Sequence, residues 1–308
     1  MSRLFLDRAR GWTALFVTLT IVGMSPTTAL AGAAAPRPVV DSRPRAVGFK
    51  HDAVVTGHVG GSRTADEVVV QKKDPSGTWN TLVTGHPDSG GLVRFRLANL
   101  HRTGAYRLVW RDSGSDATSR SDLFTINVRP RLVLRATPDD VLIGRDVRVS
   151  GRLYPAAPGR KVFLQRRAHG HWRFLRILKA GDGSFGATLA GRAVGHHGLR
   201  VTFSGDRLNT KKRSRDGYNV YDPDQATWYG PGFYGQRTAC GRTLSQETLG
   251  VANRTLPCGT DVSILYRGRT ITVPVIDRGP YSSAEWDLTS ATARKLGFEG
   301  SNTIGVRH

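Results

Sequence analysis

The chain reads as an all-β protein: two tandem immunoglobulin-like β-sandwich repeats, followed by a C-terminal domain of different character that carries a short helix. Three observations carry this reading. A unit is written twice, VVVQKKDPSGTWNTL from Val68 and VFLQRRAHGHWRFL from Val162, with a period of about 94 residues, the size of one sandwich module. Apolar residues alternate within each copy, as in Val147-Arg148-Val149, and Gly, Pro, Asn or Asp interrupts them at short intervals. From Gln225 the pattern changes to dense turns around a few strands.

The first element is a leader. Arg3, Arg8 and Arg10 precede an apolar run from Trp12 to Met24 that is short for a bilayer, and small residues follow up to Ala29-Leu30-Ala31. This predicts a secretory signal peptide over residues 1–31, an exported, wall-associated protein and no stable membrane anchor after cleavage.

The first repeat is expected over residues 36–129 and the second over 130–223. TGAYRLVW from Thr103 matches HGLRVTF from His197, which extends the repeat towards the end of each copy. Trp79 and Trp172 fall at the same point in the two copies. One aromatic per module at a fixed place is what core packing needs, so both are expected inside, with stacking on sugar as the alternative. The run Lys211-Lys212-Arg213-Ser214-Arg215 reads either as an anchor for anionic polymer or as a solvated hairpin tip. YDPDQ then marks a boundary near residue 223.

The net charge of +21 is concentrated in the middle: residues 131–224 hold 19 Lys plus Arg against 8 Asp plus Glu, whereas residues 225–308 hold 9 against 6. An exported protein meets anionic wall polymers rather than nucleic acid, so the former are the expected partners. Cys240 and Cys258 are the chain's two cysteines. In an oxidising compartment they read as one disulfide, whose loop should contribute about 3 kcal/mol. No histidine accompanies them, so no metal or cofactor is expected.

In the C-terminal domain, residues 225–308, DVSILYRG and RTITVPVI read as strands, and Asp287-Leu288-Thr289 as the opening of a helix through Leu296. Gly297 would end that helix, with Arg294 and Lys295 in its last turn. The segments ATWYGPGFYGQRTACG, GVANRTLPCGT, VPVIDRGPY and WDLTSATARKLGF, in this order, resemble the rare lipoprotein A family of double-psi β-barrels, which is similar in fold to expansins and barwin-like domains. The resemblance implies a six-stranded double-psi β-barrel and a substrate in peptidoglycan. It implies either a lytic transglycosylase, a lyase that leaves 1,6-anhydro ends, or a non-catalytic expansin-like wall-loosening protein.

Asp277 ends the strand-like VPVID before the Arg-Gly-Pro turn, at a fixed rim position suited to acid–base work. A lytic transglycosylase needs one such carboxyl, because the sugar's own 6-hydroxyl is the nucleophile. Asp287 matches the second acid of the expansin groove, with helix capping as its alternative. Thr227, Tyr229, Asn253 and Tyr281 are expected to line the substrate groove, with Trp228 beside them. Two positions depart from the family pattern: Asn253 stands where many members have His, and Arg242 where a Glu is common, with Glu247 nearby but displaced.

Overall fold

The computed structural model describes residues 35–308. The leader expected over residues 1–31 lies outside the described residues. Everything from Pro36 to His308 forms one compact unit, all-β apart from the helix Ser290–Leu296. No helix among the described residues is long and apolar enough to cross a membrane.

The duplicated sequence gives duplicated pairing. In the first copy the strands Pro38–Ser42, His51–Val59 and Leu92–Leu100 form one sheet. Ala46–Gly48, Phe124–Arg129, Gly104–Arg111, Glu67–Lys73 and Trp79–Gly85 form another in that order. In the second copy Arg131–Thr137, Asp146–Tyr154 and Ser184–Ala190 form the small sheet. His171–Lys179, Lys161–Ala168, Gly195–Phe203 and Lys212–Tyr229 follow one another in the larger one. Alternation sends one set of side chains from both sheets into a shared core. Val55, Val70, Phe95 and Leu108 belong to the first core, and Val149, Leu164, Phe185 and Val201 to the second.

The two repeat tryptophans do not join these cores, contrary to the sequence expectation. Trp79 and Trp172 are half-buried on outer sheet faces. Each is covered by an arginine, Arg107 at 4.2 Å and Arg200 at 4.4 Å from the ring centre. Each arginine Nε donates at 2.9 Å to a glutamine, Gln71 or Gln165. The fixed aromatic thus serves a repeated cation–π stack. Trp110 takes the core place in the first copy and Phe203 in the second.

The basic run does not form a hairpin tip. From Lys212 it lies along a strand, with Lys212, Arg213 and Arg215 opposite Phe203, Thr202 and Arg200. That strand continues without interruption to Tyr229, through the expected boundary at residue 223. Its neighbour changes on the way: Gly195 pairs with Val220, and from Asp222 onward the partner is Asn302–Arg307. Pro223, which has no N–H to give, sits just after this handover.

The two repeats are joined by a hydrogen-bonded seam. Asn209 is buried and its Nδ2 donates to the His101 and Val128 carbonyls at 3.0 and 3.2 Å. Arg160, 4% exposed, donates to both oxygens of Asp206 and to Asn209 Oδ1.

In the C-terminal region the strand Lys212–Tyr229 pairs with Trp286–Thr289, then Val251–Ala252, Arg269–Asp277, Asp261–Tyr266 and Asn302–Arg307, and the last pairs back onto the first. Two of these contacts are parallel, Lys212–Tyr229 with Trp286–Thr289 and Val251–Ala252 with Arg269–Asp277. The interior holds Ala226, Val251, Ile264, Val273, Val275, Leu288 and Ile304. The helix starts later than the sequence suggested. Asp287 and Leu288 are strand, and Thr289 is the N-cap, accepting from the Thr292 amide. Gly297 ends the helix at φ 67°, with Arg294 and Lys295 in the last turn as expected.

Candidate active site

Register across the C-terminal sheet builds one polar row. Thr227 pairs with Asp287, Asp287 with Ala252, and Ala252 with Asp277. Residues directly opposite on neighbouring strands share a face, so the two aspartates look out of the same side. They are two strand spacings apart, roughly 9–10 Å between backbones. The adjacent row, Leu288, Val251 and Val275, points into the core.

Simple alternation would put Asp277 on the same face as Val275. A β-bulge prevents this: Val251 opposes Val275, but the next residue, Ala252, opposes Asp277, so Ile276 is the extra residue. Val275 and Ile276 are consecutive and both buried, at 1% and 3% exposure. Bulges bend a strand and re-aim its side chains, and here the re-aimed group is the carboxylate. Ile276 packs against Gly250, where a Cβ would come within 2.6 Å of its side chain, so this turn of the chain requires glycine.

Asp277 is held through one oxygen. The Ala239 and Arg278 amides both donate to Oδ1 at 2.8 Å, which leaves Oδ2 turned to other uses. Ala239 is next to Cys240, whose disulfide to Cys258 closes with the Cα atoms 5.7 Å apart. Arg278 in turn reaches Cys258 Sγ at 3.3 Å and the Asn253 carbonyl at 3.2 Å. The disulfide therefore fixes the loop that aims an amide at the carboxylate.

Asp287 accepts from the Thr227 hydroxyl at 2.8 Å. Burial raises its pKa above the usual carboxylate value, and the charge of Asp277 adds to the rise, while the Thr227 bond works against it. With Thr289 as the cap, Asp287 is free of the capping role. Tyr229 lies on the same face as Thr227. Its hydroxyl is buried without a hydrogen-bond partner among the described residues. Burial, with the charges of Asp277 and Asp287, raises its pKa, so it stays a neutral phenol between two acids.

The structure thus brings Thr227, Tyr229, Asp277 and Asp287 together, and gives other tasks to two expected groove residues. Asn253 is 6% exposed. Its Oδ1 accepts from the Thr255 and Leu256 amides at 3.0 and 2.9 Å, and its Nδ2 faces the Glu285 carbonyl. Through its oxygen the side chain closes its own turn. Tyr281 is 90% exposed. Trp228, 41% exposed, points away from the polar row, and Glu247 is bound to Arg294 at the helix end. Sequence reasoning missed the Ala239 amide and Arg278. The cysteine beside Ala239 was the available signal, because a cross-link at a loop marks a backbone that must be fixed. No group of metal-binding side chains occurs among the described residues.

The stretch of chain that carries these two carboxylates and the hydroxyl matches a known family. Residues 224–308 match the lytic transglycolase family, a double-psi β-barrel domain. Over 84 residues the chain is 44% identical to a probable endolytic peptidoglycan transglycosylase RlpA of Synechocystis, covering 26% of each protein. It is 40% identical over 85 residues to the endolytic peptidoglycan transglycosylase RlpA of Campylobacter jejuni, covering 27% of this chain and 31% of that one. The corresponding Pseudomonas aeruginosa protein is 41% identical over 85 residues, covering 27% and 25%. The chain therefore spans about a quarter to a third of the length of these relatives, and the two β-sheet repeats lie outside the match.

Proposed function

We propose that the chain is an exported cell-wall protein whose C-terminal six-stranded double-psi barrel, residues 225–308, cleaves peptidoglycan glycan strands as a lytic transglycosylase. Residues 36–129 and 130–223 are immunoglobulin-like sandwiches that carry this domain on anionic wall polymers. The observation that carries the reading is the row Thr227, Asp287, Ala252, Asp277, which sets two carboxylates on one face.

In this reading Asp277 is the acid and base. Its carboxyl proton passes to the glycosidic oxygen as the C1–O bond breaks. The resulting carboxylate then takes the proton of the sugar's 6-hydroxyl, whose oxygen bonds to C1 and closes the 1,6-anhydro ring. No water enters, and the residue ends in its starting state. Asp287 and Thr227 form the opposite wall.

Mass spectrometry of purified sacculi incubated with the protein tests this directly. Wild type should release 1,6-anhydro ends, and Asp277→Asn should release about 10²-fold fewer or none, the worth of one positioned acid or base. Cleavage unchanged in Asp277→Asn would overturn the assignment. A second reading has its own support: Asn253 stands where the family resemblance places histidine in many members, and its side-chain oxygen is engaged by the Thr255 and Leu256 amides. Wall binding by wild type without any anhydro ends would favour that non-catalytic, expansin-like function.

A further inference from the structure

Beside the small sheet of the second repeat lies an open groove of about 1010 Å³. Its floor is the outer face of Arg131–Thr137, Asp146–Tyr154 and Ser184–Ala190. Arg131 and Arg135 project from the first strand, and Arg148 and Arg152 from the second. Lys50 of the first repeat stands over its edge. All five cations are exposed. None of them is in an ion pair among the described residues. No carboxylate lines the groove. The acid that acts on Arg152 is Asp182, whose oxygens are already taken by the Ser184 amide and hydroxyl.

One end of the groove is aromatic. Phe49 and Tyr154 stack with ring centres 6.1 Å apart and planes at 16°, and Arg152 donates to the Tyr154 hydroxyl at 3.2 Å. The loop bearing Phe49 and Lys50 is fixed from behind, because their amides donate to the Arg129 and Leu100 carbonyls at 2.9 Å each. The groove is therefore a built feature of the seam between the repeats.

We infer that this groove is a binding site for an anionic carbohydrate polymer, held by Lys50 and the four arginines and stacked at one end on Tyr154. The spacing selects a polymer. Register interleaves the two strands, so Arg131, Arg152, Arg135 and Arg148 follow one another every two residues, about 7 Å, along a line of about 20 Å. One small anion meets at most a neighbouring pair, whereas charges that recur along a chain meet all four. Several weak contacts on one molecule then act together. Arginine forks take carboxylate or phosphate oxygens in pairs. A membrane surface would need apolar residues to enter it, and the groove offers Val133 alone among aliphatic side chains. Single-stranded nucleic acid is bound on successive aromatic platforms, whereas of the three aromatic side chains here Phe49 and Tyr154 cover each other at one end and Phe185 is buried in the core below.

The choice of a glycan rests on the peptidoglycan reading of the C-terminal domain, but its test does not. The probe is fluorescent polygalacturonate, which contains no N-acetylmuramic acid, so loss of cleavage and loss of binding are separate results. Anisotropy titrations would compare the full mature chain with Arg131→Gln/Arg135→Gln/Arg148→Gln/Arg152→Gln. The control is Arg167→Gln/Arg173→Gln/Arg176→Gln/Lys179→Gln, with the same charge removed from exposed positions of the other sheet. The groove variant should bind about tenfold or more weakly, a loss of about 1.4 kcal/mol spread over four exposed charges. The control should lose much less, and uncharged dextran should not bind. Equal losses in both variants, or none in the first, would overturn the inference. So would oligothymidylate binding as tightly as polygalacturonate with the same dependence on the four arginines. Arg148→Glu alone gives the same comparison if four substitutions disturb the fold.

Discussion

Replacing both cysteines, Cys240→Ser/Cys258→Ser, should weaken the C-terminal domain and its site together. The bond joins residues 18 apart. In the chain-entropy model a loop of that size constrains the unfolded state by about 3 kcal/mol at 25 °C. A second effect is local. Without the bridge, the loop carrying Ala239 loses its tie to Cys258, and the Ala239 amide no longer has a fixed position at 2.8 Å from Asp277 Oδ1. The carboxylate keeps the Arg278 amide but swings more freely, so cleavage should fall even under conditions where the domain remains folded. Urea unfolding of the wild type and the double variant, followed by tryptophan fluorescence, measures the first effect. Release of anhydro ends at a urea concentration far below either midpoint measures the second. A stability loss under about 1 kcal/mol would refute the loop-closure argument. Undiminished cleavage by a folded variant would refute the link from the disulfide to Asp277.

Two further substitutions probe groups whose surroundings are unusual. Burial and the Asp277 charge hold the Asp287 pKa above its ordinary value, so the native state keeps a proton that the unfolded chain has already released. Stability from this group is therefore lost as pH rises through the raised pKa and stays low above it. Asp287→Asn should melt higher than wild type near neutral pH, with the gap closing in acid, and a gap that does not change with pH would count against this account. Arg160→Ala removes the donor to Asn209 Oδ1 at the seam between the repeats, while the Leu208 and Asn209 amides still reach Asp206 Oδ1. It should destabilise the chain by about 1–3 kcal/mol in urea unfolding, mainly by leaving the buried Asn209 oxygen unpaired, since the Asp206 carboxylate is open to water. A loss below about 1 kcal/mol would show that water replaces the arginine there.

Much of the architecture was legible because it rests on local or repeated pattern. The alternation of Val147-Arg148-Val149 and the duplication around Val68 and Val162 announce strands and their recurrence, since period two and turn residues act within a few positions. Gly297 with Arg294 and Lys295 announced a helix end for the same reason. The two tryptophans could not be placed this way. Position in a repeat says that Trp79 and Trp172 do the same thing, but only the neighbouring strand, which brings Arg107 and Arg200 over the rings, says that the face is the outer one. Asp287 was ambiguous for a similar reason: a strand residue and a cap two places apart look alike until Thr227 is opposite it and Thr289 takes the Thr292 amide.

The sequence by itself determined the chemistry available: the acids Asp277 and Asp287, Thr227 and Tyr229 in an aromatic, glycine-rich stretch, and a single pair of cysteines. Which of these meet was decided by tertiary structure. The bulge at Ile276 turns Asp277 away from the Val275 face and into line with Ala252 and Asp287, and its cause is a pairing mismatch between strands more than twenty residues apart in the chain. Asn253 shows the converse. Its residue type allows contact with a sugar, but its oxygen accepts from the part-buried Thr255 and Leu256 amides, two and three residues on, and so closes the turn. Side-chain identity is a property of one position, whereas facing and engagement depend on partners that only the closed sheet supplies.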